Sequence, residues 1–277
     1  MNMSAGISGR GVQALQRSIG VARVAVAAGA SGRTGLRSLY QAGSAKAITL
    51  LDGPAPEVVF LNTSGGLTGG DRLEQSLTIG PGVRLSATTQ TAERAYRAGD
   101  GVARVRIRHA VGAGGHLDWL PQETILFDAS ALERHTTIDL AEGASCLMLE
   151  AVVLGRAAMG ETVGRLHLRD RREILRAGRP VHVEPLALDE DALRAGAAVL
   201  DGARAMASLV MVAPGVADAL GPARTALGTE GVRAGASVVD GRLVVRMLAA
   251  DGWPLRRQVL RLLAALRRGP PPRVWQG

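Results

Sequence analysis

The segment Leu61-Asn62-Thr63-Ser64-Gly65-Gly66-Leu67-Thr68-Gly69-Gly70-Asp71 holds two glycine pairs within six residues and ends in a carboxylate. Such a loop either adopts backbone conformations closed to other residues or brings the backbone very close to another segment. It lies between residues 58–62 and 73–79, two apolar runs that are typical of strands. The simpler alternative is a tight connection between strands in which Asp71 caps its own turn.

Short strand-like runs extend from this loop in both directions, over residues 21–186. They are interrupted about every 8–12 residues by Gly, Pro or Asp, which is the spacing of an all-β sandwich or stacked-sheet body. The glycine-rich connections at 80–82 and 112–115 predict hairpins. The predicted strands of this part are 21–28, 47–51, 58–62, 73–79, 83–89, 103–111, 116–120, 124–127, 132–140, 145–154, 162–170 and 179–186.

The last third of the chain has the helical patterns. Residues 214–227 have Pro at the start and Gly after the end, and 254–268 places leucines on one face and arginines on the other. A weaker helical pattern covers 189–200. The remaining predicted strands are 207–213 and the pair 232–239 and 243–248, which the Asp240-Gly241 turn joins. The sequence therefore predicts an all-β fold, a large stacked-sheet or β-sandwich-like body of many short strands, with two α-helices in the C-terminal third.

The apolar stripe of residues 254–268 leaves three interpretations open: packing on the protein's own sheet, contact with a partner helix, or a basic helix on a membrane surface.

Composition and length favour one ordered unit. The chain has 277 residues, of which 47% are hydrophobic and only 3% aromatic, so aliphatic side chains must fill the core. We predict a variable N-terminal segment over 1–20, which can be disordered, and a single domain over 21–277. Residues 1–20 lack the apolar core of a signal peptide, and no run approaches the ~20 apolar residues of a membrane span. The sequence predicts a cytoplasmic protein.

The formal net charge of +8 comes almost wholly from arginine, because Lys46 is the only lysine. The arginines are spread along the sequence, and the aromatic side chains on which nucleic-acid bases stack are nearly absent. This pattern disfavours nucleic-acid binding. An acidic protein partner fits the charge equally well.

Motifs of common enzymes are missing from the sequence. It has no Gly-x-x-x-x-Gly-Lys-Ser/Thr and no His-Glu-x-x-His, and its single cysteine, Cys146, stands in an apolar run typical of a buried thiol. A hydrolase remains as an alternative, with Asp71 acting beside a histidine such as His116. Glu150 and Glu184 lie within apolar runs, where strand alternation would turn them outward. If they face inward, they must be paired, hydrated or protonated.

Five sequence blocks, taken in order, resemble the signature of the urease accessory protein UreD family, also called UreH. The resemblance extends from about residue 21 to residue 275. Glu93-Arg94 and Val274 depart from the family pattern, so the resemblance gives Glu93 no function. The blocks are Gly65-Gly66-Leu67-Thr68-Gly69-Gly70-Asp71, Thr88-Thr89-Gln90-Thr91-Ala92-Glu93-Arg94-Ala95-Tyr96-Arg97, Trp119-Leu120-Pro121-Gln122-Glu123-Thr124-Ile125-Leu126-Phe127, Leu154-Gly155-Arg156-Ala157-Ala158-Met159-Gly160-Glu161 and Pro272-Arg273-Val274-Trp275.

The resemblance implies a non-enzymatic scaffold for assembly of the nickel centre of urease. It implies the partners UreF, the GTPase UreG and apo-urease, two copies of the chain in the accessory complex, no nucleic acid or membrane, and no tightly bound cofactor. It also implies transient passage of Ni²⁺ along Asp71, Glu150 and Glu184. The motif residues expected to be structural are Gly65, Gly66, Gly69, Gly70, Tyr96, Arg97, Trp119, Pro121, Gln122, Gly155 and Arg156.

Overall fold

The computed structural model describes residues 17–276, so the prediction for residues 1–20 lies almost wholly outside the described part. Strands make up 51% of the residues and helices 15%, which confirms the all-β prediction. The strands are β1 (Ile19–Ala28), β2 (Thr34–Gly43), β3 (Ala45–Leu50), β4 (Glu57–Asn62), β5 (Arg72–Ile79), β6 (Arg84–Thr89), β7 (Glu93–Ala95), β8 (Ala103–Val111), β9 (His116–Trp119), β10 (Thr124–Leu126), β11 (Ser130–Leu140), β12 (Ser145–Leu154), β13 (Leu166–Arg176), β14 (Arg179–Leu188), β15 (Ala205–Val212), β16 (Val232–Val239) and β17 (Arg242–Ala249).

Three α-helices lie in the C-terminal third of the described chain: α1 (Glu190–Arg194), α2 (Leu220–Ala226) and α3 (Gly252–Leu266). Helices α2 and α3 fall on the two predicted helices. The weak pattern at 189–200 forms only the five residues of α1, where the Asp189 side chain accepts a hydrogen bond from the Ala192 N–H. None of the helices between residues 17 and 276 combines the length and the apolar character that crossing a bilayer demands.

The strands form two sheets. The seven-stranded sheet has the order β14-β13-β11-β8-β5-β1-β2. The ten-stranded sheet has the order β16-β17-β15-β12-β9-β6-β4-β3, and β10 and β7 attach beside β12. From β5 to β13 the chain passes alternately from one sheet to the other. It therefore returns to each sheet in the same direction, and neighbouring strands such as β5 and β8 or β9 and β12 are parallel.

The hairpins predicted at 80–82 and 112–115 are wrong. β5 and β6 belong to different sheets, as do β8 and β9, so both connections are corners between sheets. The corners stack on one another: the Gly82 N–H donates to the Ala113 carbonyl oxygen at 2.9 Å, and the Gly114 N–H donates to the Glu142 carbonyl oxygen at 3.0 Å. Contacts between successive turns of the chain decide this geometry, and the local sequence does not contain them.

Strand β2 is absent from the predicted strands. It pairs with β1 at the edge of the seven-stranded sheet, and most of its residues are exposed. Because neither face is buried, its sequence lacks the apolar alternation by which strands are recognised.

The protein has two apolar layers. The first lies between the sheets, where even-numbered residues of β12 such as Cys146, Met148 and Val152 face the seven-stranded sheet. The second lies on the other side of the ten-stranded sheet, where Leu147 and Leu149 pack with the apolar stripe of α3. Of the three interpretations of that stripe, packing on the protein's own sheet is therefore confirmed.

Candidate functional site

The glycine loop packs directly against two later segments. A Cβ atom on Gly66 would lie 2.3 Å from the Tyr96 ring and 2.7 Å from the Arg94 carbonyl oxygen. A Cβ atom on Gly69 would lie 2.3 Å from the carbonyl oxygen of Asp100. Contacts this short force the neighbouring backbone to move, so both positions require glycine in this arrangement.

Residues from four of the five sequence blocks meet in one cluster, three through side chains and the glycine block through its backbone. The Tyr96 hydroxyl donates to the Gly65 carbonyl oxygen at 3.1 Å, and the Tyr96 ring lies edge-on to Phe127 with centroids 4.9 Å apart. The Arg156 guanidinium lies 4.5 Å from the centroid of the Phe127 ring. These contacts join the glycine loop to the segments that follow β10 and β12.

Partly exposed polar contacts flank this cluster. Arg97 pairs with Asp128 at 3.0 Å, and the Arg156 Nε lies 2.8 Å from Glu161. The Gly155 N–H donates to the carbonyl oxygen that ends β10 at 2.8 Å. Exposed pairs of this kind add little stability, so we assign them the role of fixing the positions of the connecting loops.

The C-terminal block packs against the middle of the chain. The Trp275 indole N–H donates to the Leu120 carbonyl oxygen at 2.9 Å, and the Gln122 side-chain amide donates to the Val274 carbonyl oxygen at 3.3 Å. Arg256 of α3 donates to the Gln122 amide oxygen at 2.6 Å and lies 4.7 Å from the centroid of the Trp275 ring. The last residues of the chain thus hold α3 against the ten-stranded sheet.

A charged network lies between the two sheets. Arg134 on β11 donates two hydrogen bonds to Asp170 on β13, at 3.0 and 2.6 Å. Its Nη1 lies 2.9 Å from a Glu150 carboxylate oxygen on β12, and the Trp119 indole N–H donates to the other oxygen at 3.0 Å. Arg172 also donates to Asp170, at 2.6 Å. Because β11 and β12 belong to different sheets, the Arg134–Glu150 pair bridges them.

Glu184 on β14 lies where this network meets solvent. The Ser208 hydroxyl, on the ten-stranded sheet, donates to Glu184 at 2.7 Å. The guanidinium groups of Arg246 and Arg172 lie 3.2 and 3.7 Å from its oxygens, and His182 Nε2 lies 3.6 Å away. The Arg246 side chain is 69% exposed, which marks this end as open. The inter-sheet network, as we use the term, consists of Arg134, Glu150, Asp170, Arg172 and Glu184.

The expectation that strand alternation turns Glu150 and Glu184 outward is wrong. Glu150 is 1% exposed and Glu184 is 9% exposed. β12 has no outward face, because the seven-stranded sheet covers one side of it and the layer with α3 covers the other. Both carboxylates are paired, which is one of the states that an inward orientation requires.

Strand alternation identifies network members that the motif search missed. On β11, Arg134 has the same inward parity as Leu132 and Ile138. On β13, Asp170 has the same inward parity as Leu168. A charged residue among inward aliphatic residues is the signal for a buried polar network.

Burial raises the pKa of two interior carboxyl groups. Desolvation holds the pKa of Glu150 above its usual value, although Arg134 acts in the opposite direction. Desolvation likewise raises the pKa of Glu93, although a hydrogen bond from Asn62 opposes it. These groups retain a proton more readily than exposed carboxyl groups do.

Two other carboxyl groups of the network show the opposite shift. Burial acts to raise the pKa of Asp170, but Arg134 and Arg172 outweigh it and hold the pKa well below its usual value. For Glu184, burial is likewise outweighed by its contacts with His182 and Arg172, which lower the pKa to about 2. Asp170 and Glu184 are therefore ionised at neutral pH.

Three adjacent cavities follow the space between the sheets. A cleft of about 600 Å³ is lined by Glu184 and Glu150, and a small cavity of about 30 Å³ is lined by Glu150, Glu93 and Pro121. A third cavity, of about 60 Å³, is lined by Glu93 and Gly65. Neighbouring cavities share a carboxylate at each junction. We call this series, from Glu184 to Gly65, the cavity row.

Asp71 lies apart from the cavity row. Its two carboxylate oxygens accept hydrogen bonds from the backbone N–H groups of Ser18 and Thr68, each at 2.8 Å. The preceding Gly70 has φ of 90°. This is the geometry of a carboxylate that caps its own turn, and Asp71 does not line any of the three cavities.

The structure does not place His116 beside Asp71, so the pair suggested for the hydrolase alternative is not formed. His116 Nδ1 lies 2.7 Å from the Ser145 hydroxyl, and Nε2 lies 2.9 Å from an Asp118 oxygen. The other Asp118 oxygen accepts a hydrogen bond from the buried Arg267 guanidinium at 2.8 Å. Because Asp118 is shared with Arg267, we assign this cluster the role of anchoring the segment after α3 to the ten-stranded sheet.

Neither a reactive thiol nor a preformed metal site is present in the described part of the chain. Cys146 is buried, and burial raises the pKa of its thiol to about 12. Across residues 17–276, no group of three or more His, Cys, Asp or Glu side chains is arranged to hold a metal ion. The interior carboxylates instead form a line with arginines between them.

Comparison with known proteins identifies the family. The sequence model of the UreD urease accessory protein family matches residues 19–276. The chain is 65% identical over 265 residues to the urease accessory protein UreD of one strain of Cereibacter sphaeroides, with 95% of this chain and 96% of the relative covered. It is 53% identical over 265 residues to UreD of Paracoccus denitrificans, with 95% and 93% covered. It is 47% identical over 264 residues to UreD of Dinoroseobacter shibae, again with 95% and 93% covered. The chain therefore belongs to the UreD urease accessory protein family.

Proposed function

We propose that this chain is a non-catalytic scaffold that acts with UreF and the GTPase UreG on apo-urease in the cytoplasm and supports GTP-dependent insertion of nickel. The family assignment supports a role in urease maturation. The sequence has no Gly-x-x-x-x-Gly-Lys-Ser/Thr motif, so GTP hydrolysis belongs to the partner in this scheme. The proposed accessory complex contains two copies of each protein.

The observation that carries the proposal is the cavity row with a carboxylate at each junction. We propose that Ni²⁺ is cargo that passes from Glu184 to Glu150 and Glu93. Carboxylate oxygens bind Ni²⁺ more weakly than sets of imidazole or thiolate ligands do. Weak binding suits a route from which the ion must leave.

The charge balance between the sheets supports this cargo. The inter-sheet network, Glu93 and the Arg246 that pairs with Glu184 together hold four carboxyl groups and three guanidinium groups. A divalent cation is attracted to this excess of carboxyl groups. It can also displace the protons that Glu150 and Glu93 retain more readily because their pKa values are raised. Entry of Ni²⁺ is therefore linked to release of protons, and acid conditions should slow it.

Amide substitutions test the route. We expect Glu184→Gln, Glu150→Gln and Glu93→Gln to lower the nickel content of co-expressed urease, because an amide keeps the shape of the side chain but loses its charge. The exposed Glu230 gives a matched control, Glu230→Gln, which should leave nickel content unchanged. Asp71→Asn distinguishes the route predicted from sequence, which includes Asp71, from the route marked by the cavities, which does not. Only the first route predicts that Asp71→Asn lowers the nickel content of urease.

Nickel content and yield of the accessory complex must be measured together for each variant. Normal nickel loading in intact complexes of all three glutamate variants would contradict the route. Loss of the complex itself would show instead that the carboxylates are structural, since removing one partner of a buried ion pair leaves the other uncompensated.

The scaffold is tested separately, by size-exclusion chromatography of the chain co-expressed with UreF and UreG. We expect the three proteins to elute as one assembly. Elution of this chain as a separate monomer in the presence of both partners would argue against the scaffold role, whatever the nickel experiment shows.

A further inference from the structure

The outer face of the seven-stranded sheet gathers arginines that are spread along the sequence. Parallel register places Arg72 beside Arg104, and Arg106 beside Glu74 and His135. The outward positions of β1, β5, β8, β11 and β13 carry seven arginines and four acidic residues. We call this surface the arginine face, and its charged residues are Arg23, Arg72, Arg104, Arg106, Arg108, Arg169, Arg171, Glu74, Glu133, Asp139 and Glu173.

A parallel sheet is normally covered on both faces, but this face is open. Helices α2 and α3 contact the ten-stranded sheet and its apolar layer, and α1 contacts the edge strand β14. On the arginine face, the side chains of Arg104 and Arg171 are 57% and 52% exposed. An uncovered face on a parallel sheet is unusual and calls for a partner.

Three guanidinium groups on this face are not neutralised within the described chain. Arg104 and Arg171 pair with glutamates of neighbouring positions. Arg72, Arg106 and Arg108 have no ion-pair partner among residues 17–276, and all three are exposed. Arg106 and Arg108 are two residues apart on β8, a spacing of about 7 Å along the strand.

We propose that the arginine face is the surface on which a carboxylate-rich face of apo-urease docks. The identity of the partner rests on the proposed function. The chemistry of the contact rests on the free guanidinium groups, which bind carboxylates in a bidentate geometry. Complementary charge of this kind steers encounter and fixes the register of two proteins.

The position of the arginine face also favours the urease partner. A cleft of about 790 Å³ on this face is lined by Arg72, Arg106 and Arg171, and further by Leu186 and Ala187 of β14. Leu186 and Ala187 also line the first cavity of the cavity row. A protein docked on the arginine face therefore lies beside the open end of the proposed nickel route.

The same face is poorly suited to nucleic acid. Four acidic side chains are interleaved with the arginines and would lie against phosphates. The aromatic side chain at its margin, Tyr40, lies beneath Arg23, with the guanidinium 5.6 Å from the ring centroid. Single-stranded nucleic acid is usually held by several aromatic stacking platforms. A mixed surface rich in arginine is typical of protein interfaces.

The test uses the accessory complex, immobilised, with purified apo-urease as the probe in biolayer interferometry at low and high salt. The face variant combines Arg72→Glu, Arg106→Glu and Arg108→Glu. Its matched control reverses three exposed arginines elsewhere, Arg84→Glu, Arg179→Glu and Arg268→Glu. We expect the face variant to bind apo-urease at least ~10-fold more weakly at low salt and to lose most of the salt dependence, and the control to bind like the wild type.

Each outcome decides between the docking surface and the proposed function. Unchanged binding by the face variant, with the wild type binding normally, overturns the docking surface but leaves the proposed function intact. Absence of binding by the wild-type complex contradicts the proposed function and the docking surface together. Binding of a DNA duplex that the face variant loses, with urease binding unchanged, also overturns the proposal. Should the charge-reversed variant fail to fold, Arg→Gln at the same three positions gives the same comparison.

Discussion

Replacing His109 by leucine should remove one source of the sensitivity of the fold to mild acid. His109 lies on β8, buried between the sheets, with its ring centroid 4.5 Å from that of Trp119 and 6.2 Å from that of Phe60. Neither ring nitrogen has a hydrogen-bond partner within residues 17–276. Burial lowers the pKa of this imidazole from 6.5 to about 3.

The direction of the pH effect follows from proton binding. In the unfolded chain the imidazole takes up a proton near pH 6.5, whereas in the folded chain it does so only near pH 3. The unfolded state therefore binds more protons between these values, and stability is lost as the pH falls below 6.5. Each pH unit in this window lowers the free energy of unfolding by about 1.4 kcal/mol, so His109 accounts for a loss of about 2 kcal/mol at about pH 5.

Urea denaturation of wild type and His109→Leu, at about pH 7.5 and about pH 5, measures this contribution. At the higher pH the variant should be at least as stable as the wild type, because leucine has a similar volume and leaves no buried N–H unpaired. At the lower pH its advantage should grow by about 2 kcal/mol. The buried Ile107 on the same strand gives the control, Ile107→Leu, which changes no titratable group and should differ from wild type equally at both pH values. A difference between wild type and His109→Leu that is equal at both pH values would refute the reasoning.

Two further stability predictions follow from the contacts. Because its pKa is lowered to about 2, ionised Glu184 should add at most about 3 kcal/mol to the free energy of unfolding above pH 4.5. This contribution is lost as the pH falls from 4.5 towards 2, so the difference in stability between wild type and Glu184→Gln, measured by urea denaturation, should shrink over that range. Gly66→Val should cost about 1–3 kcal/mol or prevent assembly, whereas Gly99→Val, where a Cβ meets no atom within 4 Å, should leave the melting temperature nearly unchanged.

Sequence patterns located most elements because the deciding signals are local. The apolar run at 145–154 coincides with β12, and the Asp240-Gly241 turn joins β16 and β17 as predicted, since a two-residue turn of this type permits little besides a hairpin. The connection at 80–82 has no such constraint. A glycine-rich turn suits a hairpin or a corner equally, and stacking on the turn at 112–115 selects the corner.

The candidate site was less accessible to sequence reasoning because it depends on which faces are covered. Glu150 is visible as a carboxylate in an apolar run, but its partner Arg134 lies on a strand of the other sheet. Glu93 departs from the family pattern, yet it lines two cavities of the cavity row. The arginine face arises only when parallel strands align residues about 30 positions apart, such as Arg72 and Arg104.

The alternation of β13 provides a direct test of the inter-sheet network and of the arginine face, because the consecutive residues Arg171 and Arg172 point to opposite sides of the same sheet. The Arg172 side chain is 4% exposed and donates to Asp170 at 3.0 and 2.6 Å, whereas the Arg171 side chain is 52% exposed and pairs with Glu173. Arg172→Gln removes one of the two buried cations that offset Asp170, so it should lower the free energy of unfolding by about 3–5 kcal/mol.

Arg171→Gln removes an exposed pair and should change the free energy of unfolding by less than about 1 kcal/mol, while weakening the binding of apo-urease to the accessory complex. Urea denaturation and interferometry on the two variants separate the roles. A one-residue error in the register of β13 would exchange the faces, and the two variants would then exchange their effects. Equal loss of stability in both variants would therefore contradict the placement of Arg172 inside and Arg171 outside, whereas unchanged binding by Arg171→Gln would count against the docking surface.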